Sequence, residues 1–345
     1  MPGRGPDGTQ GLTAAFAARF AADWQAVLAA AGLPVDAKVG LAVSGGADSL
    51  GLMLLAHEVV PRNFCVATVD HGLRRESAQE AALVAGLCTG RAIAHRTLTL
   101  AMTAGSAVQE RARGARYAAL AQWAHEQGLC AIVTAHHADD QAETMVMRLN
   151  RGAGLRGLAA MRAVAATPGD PRLPLLRPLL SWRRADLATV VAGAGVLPVD
   201  DPSNRDPRYE RVRVRDVMAA GDAFDANGFA TSAGHLAQAD AALDWAVDRL
   251  WRDAVMTDAG FTWNPPADLP AALALRMLER VLTAFGAPMP RGAELVRWHD
   301  SLRAGGVATL GGVKGDARRC GAGADGGPAA WRFTRAPGRA AKPDA

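Results

Sequence analysis

Between Val43 and Leu50 the chain reads Ser44-Gly45-Gly46-Ala47-Asp48-Ser49, joining an apolar run, Val39 to Val43, to an apolar helical pattern from Leu50 to Val60. Gly45 and Gly46 remove two Cβ atoms where the chain turns, so backbone N–H groups approach a ligand closely, while Ser44, Asp48 and Ser49 add hydroxyls and a carboxylate. That is the chemistry of a phosphate cradle. It is not the nucleotide loop G-x-x-x-x-G-K-S/T, because no lysine follows the glycines and Lys38 lies before the strand. A glycine-rich turn without a ligand is the competing reading of this loop taken alone. Two further clusters are Asp70-His71-Gly72-Leu73-Arg74 and Ala135-His136-His137-Ala138-Asp139-Asp140-Gln141. Asp140 and Glu143, three residues apart at the start of a helix, favour the helix dipole and are also spaced to hold Mg²⁺ or an ammonium group. Asp70 reads equally as a turn residue and Asp139 as an N-cap. Arg111, Arg113 and Arg116 share one helical stretch, with 113 and 116 on one face, and one of them is expected to reach nucleotide phosphates.

The elements that must position these groups follow from hydrophobic spacing. Phe16, Phe20, Trp24 and Leu28 predict a core-packing helix over 11–31. Strands over 39–43, 64–69, 93–98 and 130–135 then alternate with helices over 47–60, 77–90, 106–127 and 138–150. Short apolar strands separated by helices imply an α/β fold, a parallel sheet with helices on both faces. Such sheets bind ligands beyond the carboxyl ends of their strands, where the three polar clusters fall. Residues 151–158 read as a flexible basic loop and 185–200 as a helix with a Pro198 stop. Beyond 216 the alternation gives way to amphipathic helices over 229–256 and 269–285 and a shorter one over 295–302, with Trp245, Trp251 and Trp298 read as core. A hairpin formed by 308–313 and 331–333 is expected at the end. The domain expectation is a disordered 1–10, a catalytic domain over 11–216 and a mainly helical accessory domain over 217–345.

Composition narrows the function. Half of the 345 residues are apolar, yet no uninterrupted apolar run has membrane-spanning length, and a cytoplasmic protein is expected. Cys65, Cys88, Cys130 and Cys320 are far apart, which argues against a zinc site or a disulfide framework. The net charge is only +4, but between Arg148 and Arg184 eight arginines face one acid, Asp170. Arginines 211, 213 and 215 follow. This block suits a phosphate-rich partner such as nucleic acid, although some of these arginines are expected to be ordinary surface charges.

The loop Ser-Gly-Gly-Ala-Asp-Ser resembles that of the N-type ATP pyrophosphatases, or PP-loop enzymes, which cleave ATP between its α and β phosphates. Val69-Asp70-His71-Gly72-Leu73-Arg74, His136 to Thr144, Arg151-Gly152-Ala153-Gly154-Leu155-Arg156-Gly157-Leu158, Arg177-Pro178-Leu179-Leu180 and Asp200-Asp201-Pro202-Ser203-Asn204 extend it. In this order, over roughly 38–216, the set resembles the tRNA(Ile)-lysidine synthetase family in a short form. Ala135 stands where that family has a glycine.

The resemblance implies ATP and Mg²⁺ as cofactors, and free L-lysine and a minor isoleucine tRNA with a CAU anticodon as partners. ATP adenylates carbon 2 of the wobble cytidine and lysine displaces AMP. Ser44, Gly45, Gly46, Asp48, Ser49, Asp70 and His71 would bind ATP, with Asp48 and Asp140 on the metal. Asp48, Arg113, His136, Asp140 and Glu143 would form the catalytic set. Arg151, Arg156, Arg183, Arg184, Arg211, Arg213 and Arg215 would bind RNA. Membranes are not expected partners, and the sequence leaves the oligomeric state open, a homodimer included. A cytidine thiolase of the same class is the alternative enzyme, although it needs sulfur-carrying cysteines. A non-catalytic RNA-binding relative is the alternative outside enzymes.

Overall fold

The computed structural model describes residues 7–72, 75–100, 108–199, 205–221, 223–257, 260–318 and 330–336. Two compact units divide the chain, Met1–Ala237 and Gln238–Ala345.

In the first unit, β1 (Val39–Ala42), β2 (Phe64–Asp70), β3 (His95–Thr99) and β4 (Ala131–Val133) alternate with α2 (Ala47–Val59), α3 (Arg75–Thr89), α4 (Val108–Glu126) and α5 (Ala138–Asn150), all preceded by α1 (Asp7–Ala30). Two strands come from the stretch read as loop and basic block: β5 (Val164–Thr167) and β6 (Asp170–Leu176), after the short helix α6 (Leu155–Leu158). The sheet order is β3-β2-β1-β4-β6-β5, parallel except for β5 against β6. Strand order reverses at β1, so a crevice opens between the ends of β1 and β4. The helices α7 (Arg184–Gly193) and α8 (Glu210–Ala219) follow. The helical pattern through Leu187, Val190 and Val191 ends at Gly193 as its glycines suggest, with Gly195 at φ +65° just beyond it.

Alternation along β1 explains why both faces are covered. Val39 and Leu41 join a core with Phe20, Trp24 and Leu28 of α1 and Leu50, Leu52 and Met53 of α2. Ala42 faces the opposite core with Tyr117, Leu120 and Trp123 of α4. Complete burial of Leu50, Leu52 and Met53 contributes about 1.5–3 kcal/mol per side chain. Gly40 is required for this layering: a Cβ there would sit 2.4 Å from the Trp123 ring. We expect Gly40→Ala to lower unfolding free energy by about 1–3 kcal/mol through overpacking, measured by urea denaturation. An unchanged midpoint would mean that α4 shifts freely on the sheet.

The second unit holds most of α9 (Ala226–Arg252), then β7 (Val255–Thr257), β8 (Gly260–Trp263), α10 (Ala271–Ala284), α11 (Gly292–Arg303), β9 (Val307–Leu310), β10 (Val313–Asp316) and β11 (Trp331–Arg335). The strands form an antiparallel sheet in the order β7-β8-β11-β10-β9. β10 pairs with β11 across the long glycine-rich connection, but Gly311 and Gly312, at φ +57° and +79°, also make a tight turn between β9 and β10. One expected strand is thus two. Met277, Leu278, Val281, Trp298 and Phe333 lie in the core. Trp298 is buried as expected, whereas Trp245 is 63% exposed, a correction to its reading as core. Among the described residues no helix is long and apolar enough to cross a membrane.

Candidate active site

The loop after β1 is shaped by its own hydroxyls. Gly45 has φ +90°, a conformation that side chains rarely adopt, and an added Cβ would lie 3.1 Å from Val199. Ser49 donates to the Gly46 carbonyl at 3.0 Å and accepts from the Ser44 N–H at 3.1 Å. Buried Ser49 therefore braces the turn, while Ser44 is exposed at the crevice. Gly46 caps α2, whose first N–H groups open toward the same space.

Three carboxylates converge on one buried imidazole. His137 is fully buried, with Nε2 3.3 Å from Asp48 Oδ2 and 3.5 Å from Asp140 Oδ2, and Nδ1 3.5 Å from Asp139 Oδ2. Burial disfavours its charge, but hydrogen-bonding and charge interactions with Asp139, Asp48 and Asp140 outweigh it and lift its pKa to about 9. It is therefore a cation at neutral pH. Asp139 is held well below the usual carboxylate range, against its burial, by His137, the Arg184 N–H and Arg183. Asp48 is also lowered despite burial, chiefly by His137, and its Oδ1 is buried without a partner among the described residues. His136 differs from its neighbour. Its Nδ1 lies 2.8 Å from Thr134 Oγ1, and burial, reinforced by Arg177, Arg116 and Arg211 against the pull of Asp140, pushes its pKa down to about 4. It is neutral.

Glu143, one turn into α5, is almost fully buried and gathers three guanidinium groups. Arg215 donates through Nε to Oε1 at 2.8 Å, Arg184 through Nη2 to Oε1 at 3.2 Å, and Arg211 Nε lies 3.7 Å from Oε2. Arg211 and Arg215 reach it from α8, where their i, i+4 spacing puts them on one face. Arg183 donates to Asp139 at 3.2 Å and the Arg184 N–H at 2.8 Å. The turn carrying them is anchored from below. Trp182 Nε1 donates to Asp23 at 2.7 Å, Arg19 donates to the Ser181 carbonyl at 2.8 Å, and the Ala138 N–H donates to the Trp182 carbonyl at 2.8 Å. The core-packing helix α1 thus also positions the site.

Beside the loop, a cavity of about 300 Å³ is lined by Ser44, Thr68, Val69, His71, Ser77 and Arg116, among others. Burial lowers the pKa of His71, as does Arg116, and its Nδ1 is buried without a partner among the described residues. Asp70 is occupied locally, accepting from Ser77 at 2.5 Å and from the Gly72 N–H at 2.9 Å. From α4 it is Arg116 that lines this cavity, while Arg113 is exposed with its guanidinium 5.3 Å over the Tyr117 ring.

The arginine block sorts by partner. Arg148 donates to the Gly157 and Ala160 carbonyls, and Arg177 to the Arg162 carbonyl, so both brace loops. Arg151 pairs with Glu210, and exposed Arg156 stands on α6. Arg213 points away from Arg211 and Arg215, donating to the Pro207 and Arg208 carbonyls. Leu73, Arg74, the Asp200–Asn204 motif, the first six residues and Cys320 lie outside the described residues, as do the side chains of Gln109 and Glu110.

The predicted site set left out His137 and Asp139, and of the three α4 arginines it took Arg113, whereas Arg116 lines the cavity. The doubled histidine held a signal: His137 falls immediately before the first helical residue, where its backbone N–H donates to the Asp140 carboxylate at 3.2 Å and its ring is buried.

The arrangement offers a glycine turn with backbone N–H groups at its rim, the Asp48 and Asp140 carboxylates, with Asp48 Oδ1 buried and without a partner among the described residues, and a bank of guanidinium groups. The family model described as the PP-loop domain matches residues 17–220. A tRNA(Ile)-lysidine synthase from Novosphingobium aromaticivorans is 64% identical over 331 residues, covering 96% of this chain and 97% of that protein. Another from Zymomonas mobilis is 39% identical over 311 residues, covering 89% and 91%. Among solved structures, a U34-tRNA thiolase from Methanococcus maripaludis shares the fold at a TM-score of 0.50 and 17% identity, covering 64% of this chain and 77% of that one. With the site, the domain and the relatives in agreement, the chain belongs to the tRNA(Ile)-lysidine synthase family of PP-loop enzymes.

Proposed function

We propose that this protein is an ATP-dependent tRNA-modifying ligase that joins free L-lysine to carbon 2 of the wobble cytidine of a CAU-anticodon isoleucine tRNA. The cytidine oxygen on carbon 2 attacks the α phosphate of ATP and pyrophosphate leaves. The ε-amine of lysine then attacks carbon 2, AMP departs with that oxygen, and the amine gives up its proton. Lysidine, AMP and pyrophosphate are the products. What supports this reading is the meeting of the glycine loop with Asp48 and Asp140 around one buried imidazole, in a chain whose relatives carry the lysidine synthase name.

In this reading the N–H groups of the 44–49 loop and of the α2 N-terminus hold the pyrophosphate. The cavity with His71 and Arg116 takes the adenosine end of ATP. Asp140, shielded and free of arginine hydrogen bonds, binds the lysine ammonium and receives its proton. Glu143 works as a positioning residue, fixing Arg184, Arg211 and Arg215 where adenylate and RNA phosphates pass. Neutral His136 borders the adenylate, and Arg116 takes the place expected for Arg113, which is exposed over Tyr117.

The unpartnered Asp48 Oδ1 fits a hard divalent cation. No described group of three or more His, Cys, Asp or Glu side chains forms a metal cluster. Asp48 and Asp140 would therefore hold Mg²⁺ together with phosphate oxygens and water. When bound, the ion neutralises charge developing on the departing pyrophosphate.

The test is to incubate the protein with ATP, Mg²⁺, radiolabelled lysine and unmodified isoleucine tRNA. ATP-dependent label in the RNA is expected, and its absence rejects lysine as substrate. Two of the cysteines are ill suited to a thiolase: burial pushes the thiols of Cys65 and Cys88 up to about 11, away from the reactive thiolate. RNA contact is separable from chemistry. Replacing Arg151 and Arg156 together is expected to weaken tRNA binding about 10-fold or more at physiological salt, with ATP affinity unchanged. Equal tRNA affinity in a filter-binding assay would remove both from the RNA surface.

A further inference from the structure

The helix α9 has one face fully committed within the second unit and one face that is not. Asp240, Asp244 and Asp248 recur every four residues and pair with Arg276 and Arg280 of α10, while Val247 is buried and Leu250 and Trp251 pack against the core. Gln238, Ala241, Ala242, Trp245, Arg249 and Arg252 form another stripe, and every one is exposed. Within it the Arg249 guanidinium lies 4.9 Å over the Trp245 ring, yet 63% of the tryptophan surface remains open. Neither Arg249 nor Arg252 has a carboxylate partner among the described residues.

We propose that this stripe is a stacking platform for an unpaired nucleotide of the substrate tRNA. An indole with a guanidinium laid against it offers a base a π surface and a cation at once, and successive helical turns place Arg249 and Arg252 to meet flanking phosphates. The two alanines N-terminal to Trp245 leave room for a sugar-phosphate backbone to approach the helix. RNA is favoured over an apolar protein partner because the six stripe residues include a single aromatic, two cations without a carboxylate partner among the described residues and no aliphatic side chain larger than alanine. The proposal rests on tRNA being the substrate but not on lysine being transferred.

The experiment measures binding of unmodified isoleucine tRNA by fluorescence anisotropy for the wild type and for Trp245→Ala, Trp245→Phe, Arg249→Ala and Arg252→Ala. Loss of stacking predicts about 5- to 100-fold weaker binding for Trp245→Ala and near-recovery for Trp245→Phe. Each arginine variant is expected to reduce the slope of log affinity against log salt by about one. The turnover rate at saturating tRNA stays at the wild-type value. A photoreactive phenylalanine at 245 should crosslink to an unpaired nucleotide. Unchanged affinity in both Trp245→Ala and Arg249→Ala overturns the platform, as does crosslinking only to a second copy of this chain. If label from lysine never enters RNA but Trp245→Ala still weakens tRNA binding, the platform stands and the lysidine reading falls. If label enters normally and affinity does not change, the reverse holds.

Discussion

Asp140→Asn will make no detectable lysidine while remaining folded. Its carboxylate is shielded in the crevice, held near Asp48 by the His137 ring, and Arg211 stays 4.0 Å away without a hydrogen bond. It is thus the acid best placed to meet an incoming ammonium. Proton acceptance by a positioned side chain contributes about 10²–10⁴-fold, and loss of charge complementarity to lysine adds to that. Asparagine keeps the shape and can still bond to the His137 N–H, so a fall in lysine incorporation of at least ~10³-fold is expected with a small change in melting temperature. Pyrophosphate release should fall less than lysine incorporation if the group acts mainly in the second step. Normal lysidine formation would remove Asp140 from the reacting groups and shift attention to Asp48.

Substituting the buried histidine is expected to cost stability as well as activity. In His137→Leu, Asp48, Asp139 and Asp140 would surround an apolar group with no cation between them. Removing one partner of a buried charged set costs about 3–5 kcal/mol, because the remaining charges keep their desolvation penalty. Combining His137→Leu with Asp48→Asn removes one of the stranded charges and should recover part of the loss, a non-additivity readable by a double-mutant cycle. Urea unfolding of the four proteins checks this. Strictly additive effects would show that the imidazole fills space without balancing charge.

The parallel sheet and its functional edge were legible because each signal was local. Apolar runs of four to seven residues, glycines after a strand and acids at a helix start carry their meaning within a few positions. The strand β6 was not legible, since Pro171 and Pro174 argue against a strand inside a sheet. The structure resolves this: β6 bonds to β4 only through Leu175 and Leu176, and its pairing with β5 shifts register near Thr167. Arginine roles were hidden for another reason. Arg151 and Arg184 look alike in the sequence and each meets a distant glutamate, but Arg151 pairs with Glu210 at the surface whereas Arg184 meets the buried Glu143. Trp245 misled because helical recurrence gives a period without saying which stripe meets the core.

The arginine cluster on Glu143 has a consequence for recombination. One side chain of α5 is satisfied by α7 and by α8, which is sixty or more residues downstream. Segments 138–150, 183–193 and 210–219 are therefore a single heritable module, though other chain separates them. A hybrid that takes α7 and α8 from a relative lacking these arginines would keep a glutamate with no counter-ions, and a fragment ending before 210 would retain every strand of the parallel sheet while losing two of the three cations. In this enzyme the crossover points open to breeding or design lie outside that module, chiefly downstream of α8, since Asp48 and α1 tie the upstream half to the same site.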